Sequence, residues 1–308
     1  MRPKNVSPRK QRPLGRLKSW YRAIQRLGWY TIAISLLGLC EGCTQLELPT
    51  TLPAKNVRME QQLCVYSDFP LGAEHRLLID ATKRKTDLET TLGVELGDEL
   101  IHVYLFDNAA NFHRYAKRHL PGFAERRAIF LKSDTKLMVL AHWHDGLGED
   151  LRHELIHGYL HAEFNWLPLW LDEGLAEYFE LSPGETNVHQ RHVSHLAKAF
   201  RDGLWQPNLE RLEAFTESSN FGETQYAESW LWIHFLLNSS PERAELLRSY
   251  VLELRTEPEI RPALHTQLEP QKSQLEIAIV EHLRELALAA TEGQPKGENS
   301  GTPKLESR

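Results

Sequence analysis

His153, Glu154 and His157, arranged His-Glu-x-x-His, are the residues of this 308-residue chain best placed to do chemistry. They lie in 151–161, a proline-free stretch predicted to be helical. Residues four apart on a helix sit one turn up on the same face, so both imidazoles can point at one ion. Glu154 lies about 100° round the helix from His153, where it can hold a water bound to that ion. Neutral imidazole suits zinc, and an open coordination position lets such a water ionise near neutral pH. Two surface histidines on an amphipathic helix have the same spacing, so a third ligand decides between the readings.

Two residues offer themselves. His161 is eight positions beyond His153, about 12 Å along a straight helix, too far to share one ion with bonds of about 2 Å. The arrangement H-E-x-x-H-x-x-G-x-x-H, in which a glycine turns the chain before a third histidine, is absent. His161 therefore reads as a helix-end residue or a support for the ligands. Glu173 is the better candidate. It belongs to a second predicted helix that follows Pro168, and the linker, about 162 to 169, is short enough for that helix to fold back beside the first. Glu173, Glu177 and Glu180 fall at i, i+4 and i+7 on one face. Opposite two histidines, such a stripe can supply a ligand (Glu173) and a carboxylate for a histidine's other ring nitrogen (Glu177).

His-Glu-x-x-His followed by W-L-D-E-G-L-A-E-Y resembles the gluzincin metallopeptidases, the group containing thermolysin and the zinc aminopeptidases. The second motif is similar to their N-E-G-x-A segment, whose glutamate is the third zinc ligand. The resemblance implies Zn2+ on His153, His157 and Glu173, Glu154 as general base, and a peptide or protein substrate. Asp172 stands where the family has asparagine, which alters the support around the ligands. Fifteen residues separate His157 from Glu173, somewhat fewer than in the aminopeptidases. Tyr226-Ala227-Glu228-Ser229-Trp230 resembles the aminopeptidase segment whose tyrosine steadies the tetrahedral oxyanion; a phenol can donate to such charge. The other reading of Tyr226 is a buried aromatic packed with Trp230, Trp232 and Phe235. The likeness spans roughly 63 to 238.

Around these motifs the chain reads as a leader, a tether, one domain and a tail. The first 26 residues carry nine Lys or Arg and no acid, and 27–40 is an uncharged, mostly apolar run. Fourteen residues are short for a membrane span of about 20 but suit a signal-peptide core. Gly42 before Cys43 resembles a bacterial lipoprotein cleavage site, although Glu41 stands at a position usually small and uncharged. The expectation is an exported protein at the cell envelope, attached to the membrane through the leader or a lipid on Cys43; ordinary secretion is the alternative. The whole chain has 36 basic against 42 acidic residues. Since the leader holds nine of the basic ones, the remainder is strongly acidic, which argues against a nucleic-acid partner. Cys64, the one cysteine outside the leader region, has no internal partner and reads as a buried strand residue.

The expected fold is α+β: a small mixed sheet with an edge strand beside the zinc helix, followed by a mainly helical lobe. Residues 44–60 read as a tether, 61–290 as the metallopeptidase-like domain and 291–308 as a disordered tail. Strands are predicted at 63–66, 101–106, 128–131 and 136–141, the last two as a hairpin. Helices are predicted at 72–92, 109–118, 188–201, 221–237, 241–254 and 273–290. In gluzincins an edge strand placed like 128–131 pairs with the extended substrate, and the resemblance implies the same role here. His142 and His144 would share a strand face but lack further ligands for a second metal. His189, His192 and His195, three apart, read as a solvated helix face. A peptidase-like binding or scaffold protein without turnover is the alternative function, and the intact Glu154 argues for catalysis.

Overall fold

Runs of β-branched and aromatic residues buried on both faces make the centre of a five-stranded sheet. In the computed structural model, residues 51–72, 74–182, 188–256 and 262–292 are described; all belong to the compact unit Pro49–Arg308. The leader, Cys43, residues 183–187 and the tail from 293 lie outside the described residues. No helix among the described residues is long and apolar enough to cross a membrane.

The strands are β1 (Asn56–Glu60), β2 (Leu63–Ser67), β3 (Ile101–Phe106), β4 (Ala128–Lys132) and β5 (Leu137–His142), in the order β1-β2-β3-β5-β4. β2, β3 and β5 run parallel, while β1 and β4 are antiparallel edges. Residues 56–60, read above as the end of a tether, are therefore part of the sheet. Val57 and Met59 alternate with Arg58 and Glu60 but are exposed, so the apolar face of β1 is not buried in the core, and the strand pairs with β2. Cys64 is buried in β2.

Alternation along the strands divides the apolar side chains between two cores. Val65, Val103, Leu105, Leu137, Val139 and Ala141 face a large core shared with helices α1 (Arg76–Leu92) and α3 (Leu147–Glu163). On the other face Tyr104, Phe106, Ile129 and Leu140 pack on Phe112 and Ala116 of α2 (Ala109–His119). α1 starts at Arg76, not at Gly72, because His75 caps it with Nδ1 accepting from the Leu77 amide. α3 is longer than the proline-free stretch predicted, and Glu149 and Asp150 in its first turn complement the helix dipole.

The remaining chain is helical: α4 (Leu169–Phe179), α5 (Gln190–Arg201), α6 (Leu209–Glu213), α7 (Glu223–Asn238), α8 (Pro241–Thr256), α9 (Leu264–Leu268) and α10 (Lys272–Glu292). α10 continues into the first two residues of the expected tail. α4 crosses α7 so closely that a Cβ on Gly174 would stand 2.8 Å from both the Ser229 carbonyl oxygen and Ile233 Cγ1. Only glycine fits there, immediately beside Glu173.

Two measurements test this packing. Gly174→Ala is expected to destabilise the protein by about 1–3 kcal/mol in denaturant unfolding, because the carbonyl it meets belongs to rigid helix backbone. An unchanged midpoint would mean that α4 and α7 do not touch in this way. Between α7 and α10, His234 Nδ1 and His282 Nε2 share a 2.8 Å hydrogen bond. Burial and then His282 push the His234 imidazole down to about 4. A folded-state value below the unfolded one means stability is full above about 6.5 and declines as pH falls towards about 4, by up to about 3 kcal/mol. His234→Leu should flatten that part of the stability–pH curve.

Candidate metal centre

α3 and α4 lie against each other with the short 164–168 connection between them, and their facing side chains are histidine on one helix and carboxylate on the other. His153 Nδ1–H donates to Glu180 Oε2 at 2.8 Å, and His157 Nδ1–H donates to Asp172 Oδ1 at 2.8 Å. Each ring is thus fixed from behind, and in the neutral form the proton on Nδ1 leaves the Nε2 lone pair for a ligand. The two Nε2 atoms are 3.3 Å apart. Glu173 Oε2 lies 3.6 Å from the first and 3.5 Å from the second.

This triangle fits a cation. Tetrahedral zinc with bonds of about 2.0–2.1 Å holds its ligand atoms about 3.3–3.4 Å from one another. Two lone pairs and a carboxylate oxygen converging at these separations have no proton to share among all three unless an ion or extra protons enter. The side chains are buried or nearly so, with His157, Glu154 and Glu173 each 7–8% exposed. Burial alone would pull the His157 imidazole down, but Asp172 and Glu173 outweigh it and push it up to about 10. Burial would raise Glu173; His157 and His153 instead hold it at about 2. Both shifts describe carboxylates that, with no ion present, are met by protonated imidazole, so a metal ion would bind by displacing those protons.

Glu154 points into the same space without being one of the three. Its burial raises the carboxyl above the ordinary carboxylate range, against the pull of His153 and His157. Tyr226, in the first turn of α7, lines the same cleft. Burial and then the Glu173 charge raise its phenol, opposed by Arg126. The cleft, of about 750 Å³, is bounded on one side by Arg126, Arg127 and Ala128 at the start of β4, and on the other by Glu177, His189 and His192. β4 itself touches the centre, since Phe130 stacks on the rings of His157 and His161 at 5.9 and 5.4 Å.

Several site residues stand differently from the sequence-based expectation. Glu177 makes no hydrogen bond to a ring of the triangle. Its carboxylate accepts from His192 Nε2 at 2.8 Å, and Glu180, the residue that caps the C-terminal end of α4, supports His153 instead. The sequence placed both on one stripe, but only the crossing of α3 over α4 decides which reaches. Asp172 has a larger part than its place beside the motif suggested, accepting from His157 with one oxygen and from His161 Nε2 with the other, 3.0 Å away. His161 is held about two turns from His153 as a support for that carboxylate. His189 and His192 are buried rather than solvated, at 6% and 8% exposure, while His195 reaches Thr224 Oγ1 at 2.9 Å. His144 bonds Asp150 at 3.0 Å and His142 bonds the Trp143 carbonyl at 3.1 Å. Arg126 went unnoticed in sequence because a lone loop arginine carries no pattern.

Behind the centre, Arg152 ties the layers together. Its Nη1 donates to Asp80 of α1 at 2.7 Å, and its Nε donates to the Glu180 carbonyl. The support for His153 is thereby anchored to the helix that packs on the sheet.

The sequence family described as "Protein of unknown function (DUF1570)" matches residues 150–258, a span that includes the whole triangle, Glu154, Glu180 and Tyr226. No curated protein matches the chain.

Because only Glu173 completes the triangle, Glu173→Ala should weaken zinc binding by a larger factor than His161→Ala in competition titrations against a chelator. The opposite ranking would remove Glu173 from the ligand set. Asp172→Asn should fall between them, since it leaves the ligands in place but exchanges a charged support for a neutral one, a change of roughly 10–100-fold in comparable sites.

Proposed function

We propose that this protein is a zinc-dependent peptidase that hydrolyses peptide bonds with Glu154 as general base. The observation that carries this reading is the triangle of ligand atoms 3.3 to 3.6 Å apart with a buried, unligated carboxyl on the helix turn between its two histidines. When bound, zinc supplies a Lewis acid that makes a water more acidic and polarises the scissile carbonyl.

The chain's own residues account for the rest of the reaction. Glu154 takes a proton from the attacking water and returns it to the leaving amine. A carboxyl whose affinity for protons is raised by burial is suited to both halves of that transfer. Tyr226 lines the same cleft and donates its phenolic hydrogen to the developing oxyanion. The outer edge of β4 is unpaired among the described residues, and its first residue, Ala128, borders the cleft. An extended peptide adding to that edge would lie across the triangle, with its backbone amides and carbonyls satisfied by strand pairing. The cleft's open form suits a peptide chain better than a small enclosed ligand. The basic, then apolar, leader supports action at the cell envelope, with attachment through that leader or a lipid on Cys43.

Glu154→Gln separates this reading from a metal-binding scaffold. The variant should keep zinc and fold, yet lose peptide hydrolysis by roughly 10²–10⁴-fold or more, measured on a substrate found by digesting a peptide library with the wild type. Tyr226→Phe should lose less, because it removes one donor among several stabilising contacts. Hydrolysis by Glu154→Gln at the wild-type rate would refute the mechanism, and a fully zinc-loaded wild type that cuts nothing would refute the peptidase reading.

A further inference from the structure

One cluster of ligating groups has no part in the chemistry above. Glu177 on α4, His189 at the N-terminal cap of α5 and His192 in its first turn each present a ligand-type atom within 4.8 Å of the others. Glu177 Oε2 is 2.8 Å from His192 Nε2 and 3.8 Å from His189 Nε2. Glu180 Oε1 is 2.9 Å from His189 Nε2, which brings a second carboxylate to the same point. The two imidazole rings stack, their centroids 3.8 Å apart. All four residues line the cleft, so an ion could enter from solvent.

We infer that Glu177, His189 and His192, with Glu180 beside them, form a second site for a divalent transition-metal ion next to the His153–His157–Glu173 centre.

Two imidazoles and one or two carboxylates are a donor set that zinc and its neighbours in the first transition row accept, whereas calcium and magnesium prefer oxygen alone. Atom separations of 2.8 to 3.8 Å are of the order that bonds of about 2.0–2.2 Å require, after small rotations of the rings. Loading exchanges the present hydrogen bonds of both Nε2 atoms for bonds to the ion. To ligate through Nε2, His189 must carry its proton on Nδ1 instead. Glu180 now holds the proton on His189 Nε2, and shifting it leaves a buried Nδ1–H with no acceptor among the described residues, a cost that bonding to the ion has to offset. His192 releases its Nε2 proton in the same way, and Glu177 exchanges an N–H donor for the ion.

Glu180 joins the two centres. One of its oxygens holds His153 Nδ1 and the other meets His189 Nε2. An ion on the His189 side draws on the carboxylate that orients a ligand of the first centre, so filling one site is felt at the other. The second site has to displace existing hydrogen bonds and is the weaker of the pair. This inference goes beyond the peptidase reading and does not need it, because it concerns ion count alone.

The test is zinc stoichiometry on the chelator-stripped full-length protein, by equilibrium dialysis at rising free zinc and elemental mass spectrometry. Wild type should take up two ions in separate steps. His189→Gln and His192→Gln should each take up one and lose the weaker step, while Glu173→Ala with His157→Ala should lose the tighter one. Circular dichroism checks folding, and two separate glutamine variants ensure that one misfolded protein does not decide the outcome. One ion in wild type, or two ions in wild type and in both glutamine variants, overturns the second site. Loss of peptidase activity with two ions retained would count against the proposed catalysis and leave this inference standing.

Discussion

The rest of this structure depends on two carboxylates, Asp172 and Glu180, each taking the Nδ1 proton of one histidine on the opposite helix. Buried carboxylates are costly unless they are paired and hydrogen-bonded. Burial would raise both, yet the histidines they serve hold both well below the ordinary carboxylate range. The pairing therefore satisfies the acids and aims the imidazoles in the same stroke. With Nδ1 committed, Nε2 of each ring can only look towards the other and towards Glu173.

That requirement propagates outward. α3 and α4 must keep one register, because a slip of one residue would turn Asp172 or Glu180 about 100° away from its histidine. The register is held from three directions. Arg152 links the Glu180 carbonyl to Asp80 on α1. Phe130 on β4 lies flat against His157 and His161. On the far side, α7 presses against Gly174 at a distance no side chain would allow. Sheet, first helices and helical lobe thus meet at one small cluster of ionisable groups, and the cleft opens where they meet. A site supported by several rigid elements holds its geometry better than one carried on a loop.

The same physics explains why the cluster extends beyond the triangle. Once Glu177 and Glu180 are placed on the inward face of α4, each needs a donor. α5 brings His189 and His192 to supply them. The result is a run of alternating carboxylate and imidazole from His161 through Asp172, His157, Glu173, His153 and Glu180 to His189. The run is continuous through Glu180, which meets His153 with one oxygen and His189 with the other.

Much of the centre was legible without coordinates. Helical periodicity alone puts His153 and His157 on one face, and a proline followed by a short helix returns Glu173 towards them. The strand at 101–106, the hairpin of β4 and β5 and the succession of helices also follow from local pattern, because alternation, turn residues and caps act between near neighbours. What the sequence could not determine was any choice between equivalent neighbours. Glu177 and Glu180 share a stripe, and only the crossing angle of α3 and α4 selects Glu180 for His153. His189 and His192 have the spacing of a solvated face and are buried only because α5 packs inward. Residues 56–60 are too short and polar a stretch to stand apart from the tether, and they become a strand by pairing with the edge of β2. The insertion of β5 between β3 and β4 depends on pairing between distant segments. In each case the deciding energy is a contact between residues far apart in the chain, which no local pattern encodes and only the assembled tertiary structure supplies.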